Sequence, residues 1–109
     1  MAYSEDSAQI LRDRLDGFQG IEERRMFGGL AFMLQGNMLC GVHRGGAMFR
    51  VGKDNHAAAL KIDGVRPMAF TGRPMGGMVE ADGELLEDDA RREAVLRLAL
   101  DFVTGLPPK

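Results

Sequence analysis

What this sequence lacks narrows its chemistry. Its 109 residues hold one cysteine, Cys40, so no internal disulfide can form, and a lone thiol favours a reducing compartment. There is no tryptophan, and the hydroxyl nucleophiles are only Ser4, Ser7, Thr71 and Thr104. Nucleophilic catalysis needs such a group beside an activating base. Both serines fall in the first turn of a predicted helix, where capping accounts for them, and neither threonine has a histidine nearby in sequence. Mid-strand between Leu39 and Gly41, Cys40 reads as a buried, inert thiol. The two histidines, His43 and His56, have no second cysteine and no H-x-x-x-H spacing, so the usual zinc frameworks are absent. Gly72–Gly77 (G-R-P-M-G-G) matches neither G-x-G-x-x-G nor G-x-x-x-x-G-K, and Pro74 removes a backbone donor that a phosphate loop would use. No catalytic residue, metal or cofactor is therefore expected. An enzyme hidden here would need Cys40 or a histidine in a pocket beside an activating group.

No apolar run approaches the roughly 20 residues of a membrane-spanning helix. The acidic start, Met1 to Asp6, lacks the basic-then-apolar layout of a secretory signal. A soluble, cytoplasmic protein is expected.

What is present suits one domain, residues 1–109. Apolar residues make up 45% of the chain and charged residues 28%, enough to build a core without disulfides or metal. The net charge of −2 hides a pattern. Residues 1–23 carry two arginines against six acids, and residues 74–109 carry four cations against eight acids. Between them, residues 24–73 carry six arginines and two lysines against only Asp54 and Asp63. Either the acidic flanks neutralise this middle within the fold, or it forms a basic surface for an acidic partner.

Ser4 can cap a first helix whose apolar stripe is Ala8, Leu11, Leu15 and Phe18. Residues 24–34 read as one bent strand. Its apolar residues fall on both faces: Met26, Leu30, Phe32 and Leu34 on one, Phe27, Ala31 and Met33 on the other. A sheet apolar on both faces must cover both, with helices or a second subunit. Gln35-Gly36-Asn37 supplies a turn, Met38–His43 a second strand, Arg44-Gly45-Gly46 a turn and Ala47–Val51 a third strand, the signature of an antiparallel meander. Asp54 can cap a short helix over residues 56–62. Residues 64–77 read as a long irregular segment, Met78–Ala81 as a short returning strand and Asp82-Gly83 as a turn. Asp88 or Asp89 caps a final helix of about fifteen residues ended by Gly105 and Pro107.

Two features stand out. Arg66-Pro67-Met68 recurs as Arg73-Pro74-Met75. Proline extends the residue before it, so both arginines leave a stiffened backbone. They either reach for a partner's carboxylates or phosphates, or pair internally with acids such as Asp88 and Asp89. Seven of the eight methionines lie between residues 26 and 78. Methionine packs adaptably, in cores and at protein–protein surfaces alike.

The run R-R-M-F-G-G-L-A-F-M-L-Q-G-N-M-L-C-G-V resembles the N-terminal domain of the TfoX/Sxy family, as do F-R-V-G at 49–52, P-M-A-F-T-G-R-P-M at 67–75 and F-V-T-G-L-P-P-K at 102–109. Val95 stands where the family frequently has tryptophan. The resemblance implies an α+β fold: a curved antiparallel meander with N- and C-terminal helices packed on it, similar to YjbR-like proteins and secretion chaperones. It implies a non-catalytic regulatory domain that binds a protein partner, with itself as a homodimer one form of that. It also implies a link to DNA uptake and natural transformation as a transcriptional co-regulator. The family offers no catalytic residue to carry over. Its matching positions, Arg24, Arg25, Met26, Phe27, Gly28, Gly29, Phe70, Arg73, Pro74 and Met75, together with Arg66, are the candidate partner-binding residues. In longer members a second, C-terminal helical domain is where nucleic-acid contact would fall. That makes direct nucleic-acid binding the less favoured reading here, kept as the alternative because of the basic middle.

Overall fold

Ser4 starts the first helix as its spacing predicts. Its hydroxyl accepts the Ser7 N–H at 3.2 Å, filling one of the donors that a helix start leaves open. The computed structural model describes residues 3–26, 28–70 and 73–108, without the side chains of residues 69, 70 and 73–75. The chain runs α1 (Glu5–Leu15), β1 (Ile21–Met26), β2 (Gly29–Leu34), β3 (Asn37–His43), β4 (Gly46–Arg50), α2 (Lys53–Leu60), β5 (Val65–Phe70), β6 (Arg73–Ala81), a 3-10 turn (Gly83–Glu87) and α3 (Asp89–Thr104). The six strands form one sheet in the order β1-β2-β3-β4-β6-β5, every neighbouring pair antiparallel. This is an α+β fold with the meander expected.

Three sequence expectations need correction. Residues 24–34 are not one bent strand but a hairpin, β1 and β2, with Met26 paired to Gly29 and Gly28 at φ 72°. Residues 64–77 are not irregular but most of a second hairpin, β5 and β6. Its prolines are tolerable there because β5 is an edge strand and because β6 pairs with β4 only over residues 78–81, beyond Pro74. Finally, α2 begins at Lys53, with Gly52 at the cap position and no side-chain cap, so Asp54 sits inside the first turn. Its charge still complements the helix dipole there. At the other end of the chain Asp88 does cap α3, accepting the Arg91 N–H at 3.2 Å.

The helices all pack on one face of the sheet. Ala8, Leu11 and Leu15 of α1, Ala59 of α2 and Val95, Leu96, Ala99 and Val103 of α3 meet Leu30, Phe32, Leu39, Val42, Phe49 and Val79 in one core. Arg14 Nη2 reaches Glu93 Oε1 at 2.7 Å and ties α1 to α3 at the rim of that core. The hydrogen bond from Arg14 holds the Glu93 carboxyl below its ordinary range. A carboxyl depressed in the folded state stabilises fully above its unfolded value and loses that contribution as pH falls through the folded one. Arg14→Ala is therefore expected to lower the melting temperature modestly at pH 7, by the equivalent of less than about 1 kcal/mol for so exposed a pair. The difference from the parent should vanish once the pH is well below the carboxylate range, which a pair of melting curves checks.

The other face is built differently. Ala31, Met33, Met48, Met68 and Met78 form a second buried cluster, with Met26 and Met38 packed at its margin, and no helix residue contributes to it. None of the five is more than 8% exposed. This face therefore carries a methionine-rich apolar layer to which the three helices contribute nothing. Bulges at Phe32/Met33 and Pro67/Ala69 supply bends. Gly41 makes room, since a Cβ there would stand 2.7 Å from Met48 Cε. The hairpin also reassigns Met26, which joins Ala31 and Met33 rather than Leu30.

Candidate partner-binding surface

The candidate residues gather on two hairpins, and the fold sets those hairpins far apart. Arg24, Arg25, Met26 and Gly28 belong to the β1–β2 hairpin, at one edge of the sheet. Arg66, Phe70, Arg73, Pro74 and Met75 belong to the β5–β6 hairpin, at the other edge. The tips differ as well. The β1–β2 turn lies at the end of the ladder where His43 meets Gly46, as does the Val65↔Ala81 pair, whereas Phe70↔Arg73 lies at the opposite end. The fold thus separates the expected residues between two edges, and along the second edge it sets Arg66 at the opposite end from Phe70 and Arg73.

On the first edge β1 has four consecutive exposed residues, Glu22, Glu23, Arg24 and Arg25. Arg24 pairs with Ala31 and so stands on the methionine face; Arg25 pairs with Leu30 on the helix face. Arg12 of α1 grips Glu23 through Nε and Nη2, at 2.6 and 2.8 Å. That hydrogen-bonded arginine holds the Glu23 carboxyl below its ordinary range. No ion pair among the described residues involves Glu22, Arg24 or Arg25. Gly28 is exposed with open space around it, while Gly29 is buried against β3, where a Cβ would stand 2.0 Å from the Val42 carbonyl oxygen. The matched glycine pair therefore divides into one turn position and one packing position. Phe27 lies outside the described residues.

On the second edge Arg66 is held internally, with Nε 3.3 Å from Glu80 and Nη1 3.1 Å from Asp82. Glu80 also stands 3.3 Å from His43 Nε2, without the alignment of a hydrogen bond. The Nδ1 of that histidine accepts the Gly45 N–H at 2.9 Å. Asp88 and Asp89 pair with Arg91 and Arg92 in their own helix instead of with Arg66. The side chains of Phe70, Arg73, Pro74 and Met75 lie outside the described residues, although the pairings Phe70↔Arg73 and Ala69↔Pro74 fix their backbone in the hairpin.

Among the described residues four acids of the flanks, Glu23, Asp88, Asp89 and Glu93, pair with arginines of the flanks, Arg12, Arg14, Arg91 and Arg92. Among the described arginines and lysines of the middle only Arg66 has an ion pair. The rest do not form one patch. Arg24, Arg25 and Arg44 lie toward the β1–β2 and β3–β4 turns. Arg50 and Lys53 line a cleft of about 360 Å³ at the start of α2, where Arg50 stands 5.4 Å from the centre of the Phe102 ring.

Cys40 faces the helix-side core, opposite Phe32 and Phe49, and is fully buried. Burial pushes the thiol's pKa upward, away from the reactive thiolate. It is expected to react with a disulfide reagent only after denaturant is added, and prompt labelling of the native protein would contradict this placement. Thr104 Oγ1 donates to the Leu100 carbonyl oxygen at 2.6 Å. Among the described residues no group of three or more metal-ligating side chains comes together.

The family model for the TfoX N-terminal domain matches residues 13–103, from within α1 to the last turn of α3. No curated protein and no solved structure matches the chain.

Proposed function

Because the chain belongs to the TfoX N-terminal domain family, we propose that it is a non-catalytic regulatory domain that works by binding a protein partner. Its role under this reading is transcriptional co-regulation of DNA uptake and natural transformation, in the cytoplasm. The family match, which covers the whole sheet and nearly all of α3 but only the last residues of α1, carries the proposal. The exposed β1 strand supports it: Arg24 and Arg25 stand on an edge, one on each face of the sheet, with charges that no neighbour among the described residues takes up. No helix among the described residues is long and apolar enough to cross a membrane.

The test is genetic. Deleting the gene in its native, transformable host is expected to lower transformation frequency at least tenfold and to lower transcription of the DNA-uptake genes, and the wild-type gene supplied in trans should restore both. Unchanged frequency and transcription in the deletion strain would contradict the proposal.

Direct nucleic-acid binding is the second reading. It is favoured by the basic residues of the middle segment that have no ion pair among the described residues. Their division between the two ends of the sheet weighs against one continuous phosphate track. Such binding would weaken steeply with salt, and no binding to duplex or single-stranded DNA at low salt would remove it.

A further inference from the structure

The β1 strand carries a charge order that reverses about its own centre: Ile21-Glu22-Glu23-Arg24-Arg25-Met26. Charged residues ordinarily guard a sheet edge against pairing, and a row of like charges would do so. A strand that runs Glu-Glu-Arg-Arg does the reverse toward an antiparallel copy of itself. We infer that β1 is a self-pairing edge, across which two copies of this chain join their sheets about a twofold axis. The inference rests on the reading of β1 as the partner surface and names a second copy of the chain as the partner.

Register follows from the hairpin. Two residues separate the paired Met26 and Gly29, so that pair is the hydrogen-bonded kind that closes a two-residue loop. Pair types alternate along an antiparallel ladder. Met26, Arg24 and Glu22 thus spend their backbone groups on β2, and Arg25, Glu23 and Ile21 point theirs outward. A twofold axis normal to the sheet keeps faces matched, so each residue must meet one on its own face. Centring the axis on Glu23 satisfies both conditions. Glu23 then exchanges backbone hydrogen bonds with its own copy, and Ile21 with Arg25 of the other copy on either side. Between these, Glu22 meets Arg24 twice on the methionine face, in the closer, non-hydrogen-bonded pairs. Neither residue has an ion-pair partner within the described chain, and each gains one here. The one like-charge meeting, Glu23 with Glu23, is already offset, because Arg12 holds each carboxylate at 2.6 and 2.8 Å and Arg25 of the opposite copy lies diagonally beside it. Centring on Arg24 instead would place two arginines without counter-ions face to face.

Sedimentation of the full chain tests this directly. An interface of six residues a side is small, so the wild type should pass from its 11.9 kDa monomer to dimer between about 10 µM and about 1 mM. Glu22→Arg alone and Arg24→Glu alone each set like charges opposite one another, and each should stay monomeric over that range. Their equimolar mixture should form a heterodimer, and the double variant Glu22→Arg/Arg24→Glu should regain the homodimer. Arg25→Pro gives a second route. It removes an outward N–H without touching the β2 ladder, and should weaken association at least tenfold with the native fold retained by circular dichroism. A wild type monomeric throughout, single variants that dimerise like the parent, or a mixture that fails to associate would each overturn the inference. Any of those results leaves the transformation assay free to decide the regulatory reading separately.

Discussion

Gly29→Ala is expected to lower the free energy of unfolding by about 3–4 kcal/mol, whereas Gly28→Ala should cost only about 1 kcal/mol. The two glycines are adjacent, and sequence alone treats them as a pair. The structure does not. Gly29 begins β2, packed so closely on β3 that a Cβ would lie 2.0 Å from the Val42 carbonyl oxygen and 3.1 Å from the His43 Cα. These are backbone atoms in a hydrogen-bonded sheet, so relief requires the strands to part. Gly28 has φ 72° and nothing within 4 Å of a would-be Cβ, so alanine there bears only the left-handed backbone penalty. Urea unfolding of both variants measures the contrast, and equal costs would show that the Gly29 contact is not a packing constraint.

The second large effect is expected at Phe49→Ala, at about 3–5 kcal/mol. Phe49 is fully buried on β4, paired with Cys40 on β3 and Val79 on β6. It sits beneath the helices, where the surrounding core cannot easily close over the void. Its neighbour Met48 is equally buried but faces the methionine layer. Met48→Leu keeps volume and polarity nearly constant and should cost less than about 1.5 kcal/mol. Against a typical domain stability of roughly 5–15 kcal/mol, the phenylalanine variant should also melt far below the parent. Comparable losses for the two substitutions would contradict a two-sided sheet with one helix-covered core.

These effects also mark where the sequence could and could not be read. The Gln35–Gly36 turn was legible because a polar residue and a glycine interrupt apolar runs, and both take positive φ, 51° and 87°. The cap Ser4 was legible from local chemistry alone, and the cap of α3 was narrowed to Asp88 or Asp89. The first hairpin was not, because Met26-Phe27-Gly28-Gly29-Leu30 contains no polar turn residue and β1 itself lacks a buried face to print an alternation. The second hairpin was masked by Pro67 and Pro74, residues that argue against a strand unless it lies at an edge, and edge position is a property of the whole sheet. The methionine layer was half visible. Ala31 and Met33 alternate with Leu30 and Phe32 as a strand apolar on both faces should, but only the hairpin register reveals which side Met26 joins. Charge was the least legible property. Arginines of the flanks pair with acids of the flanks, locally in Arg91–Asp88 and across 79 residues in Arg14–Glu93, and among the described cations of the middle only Arg66 has a partner.

The candidate site followed the same pattern. Every expected contact residue that the structure describes falls on one of two hairpins, yet the strand order sets those hairpins at opposite edges. Arg66 is tied to Glu80 and Asp82, while Arg24 and Arg25 stay exposed on β1. That asymmetry concentrates the proposed binding function on β1. The direct test is the paired variant Arg24→Glu/Arg25→Glu, returned to a host deleted for the gene. The purified variant should melt within about 3 °C of the parent, as surface substitutions do, and reach normal abundance in the cell, yet fail to restore transformation. Full restoration would contradict the account, and so would a loss that tracks unfolding of the variant.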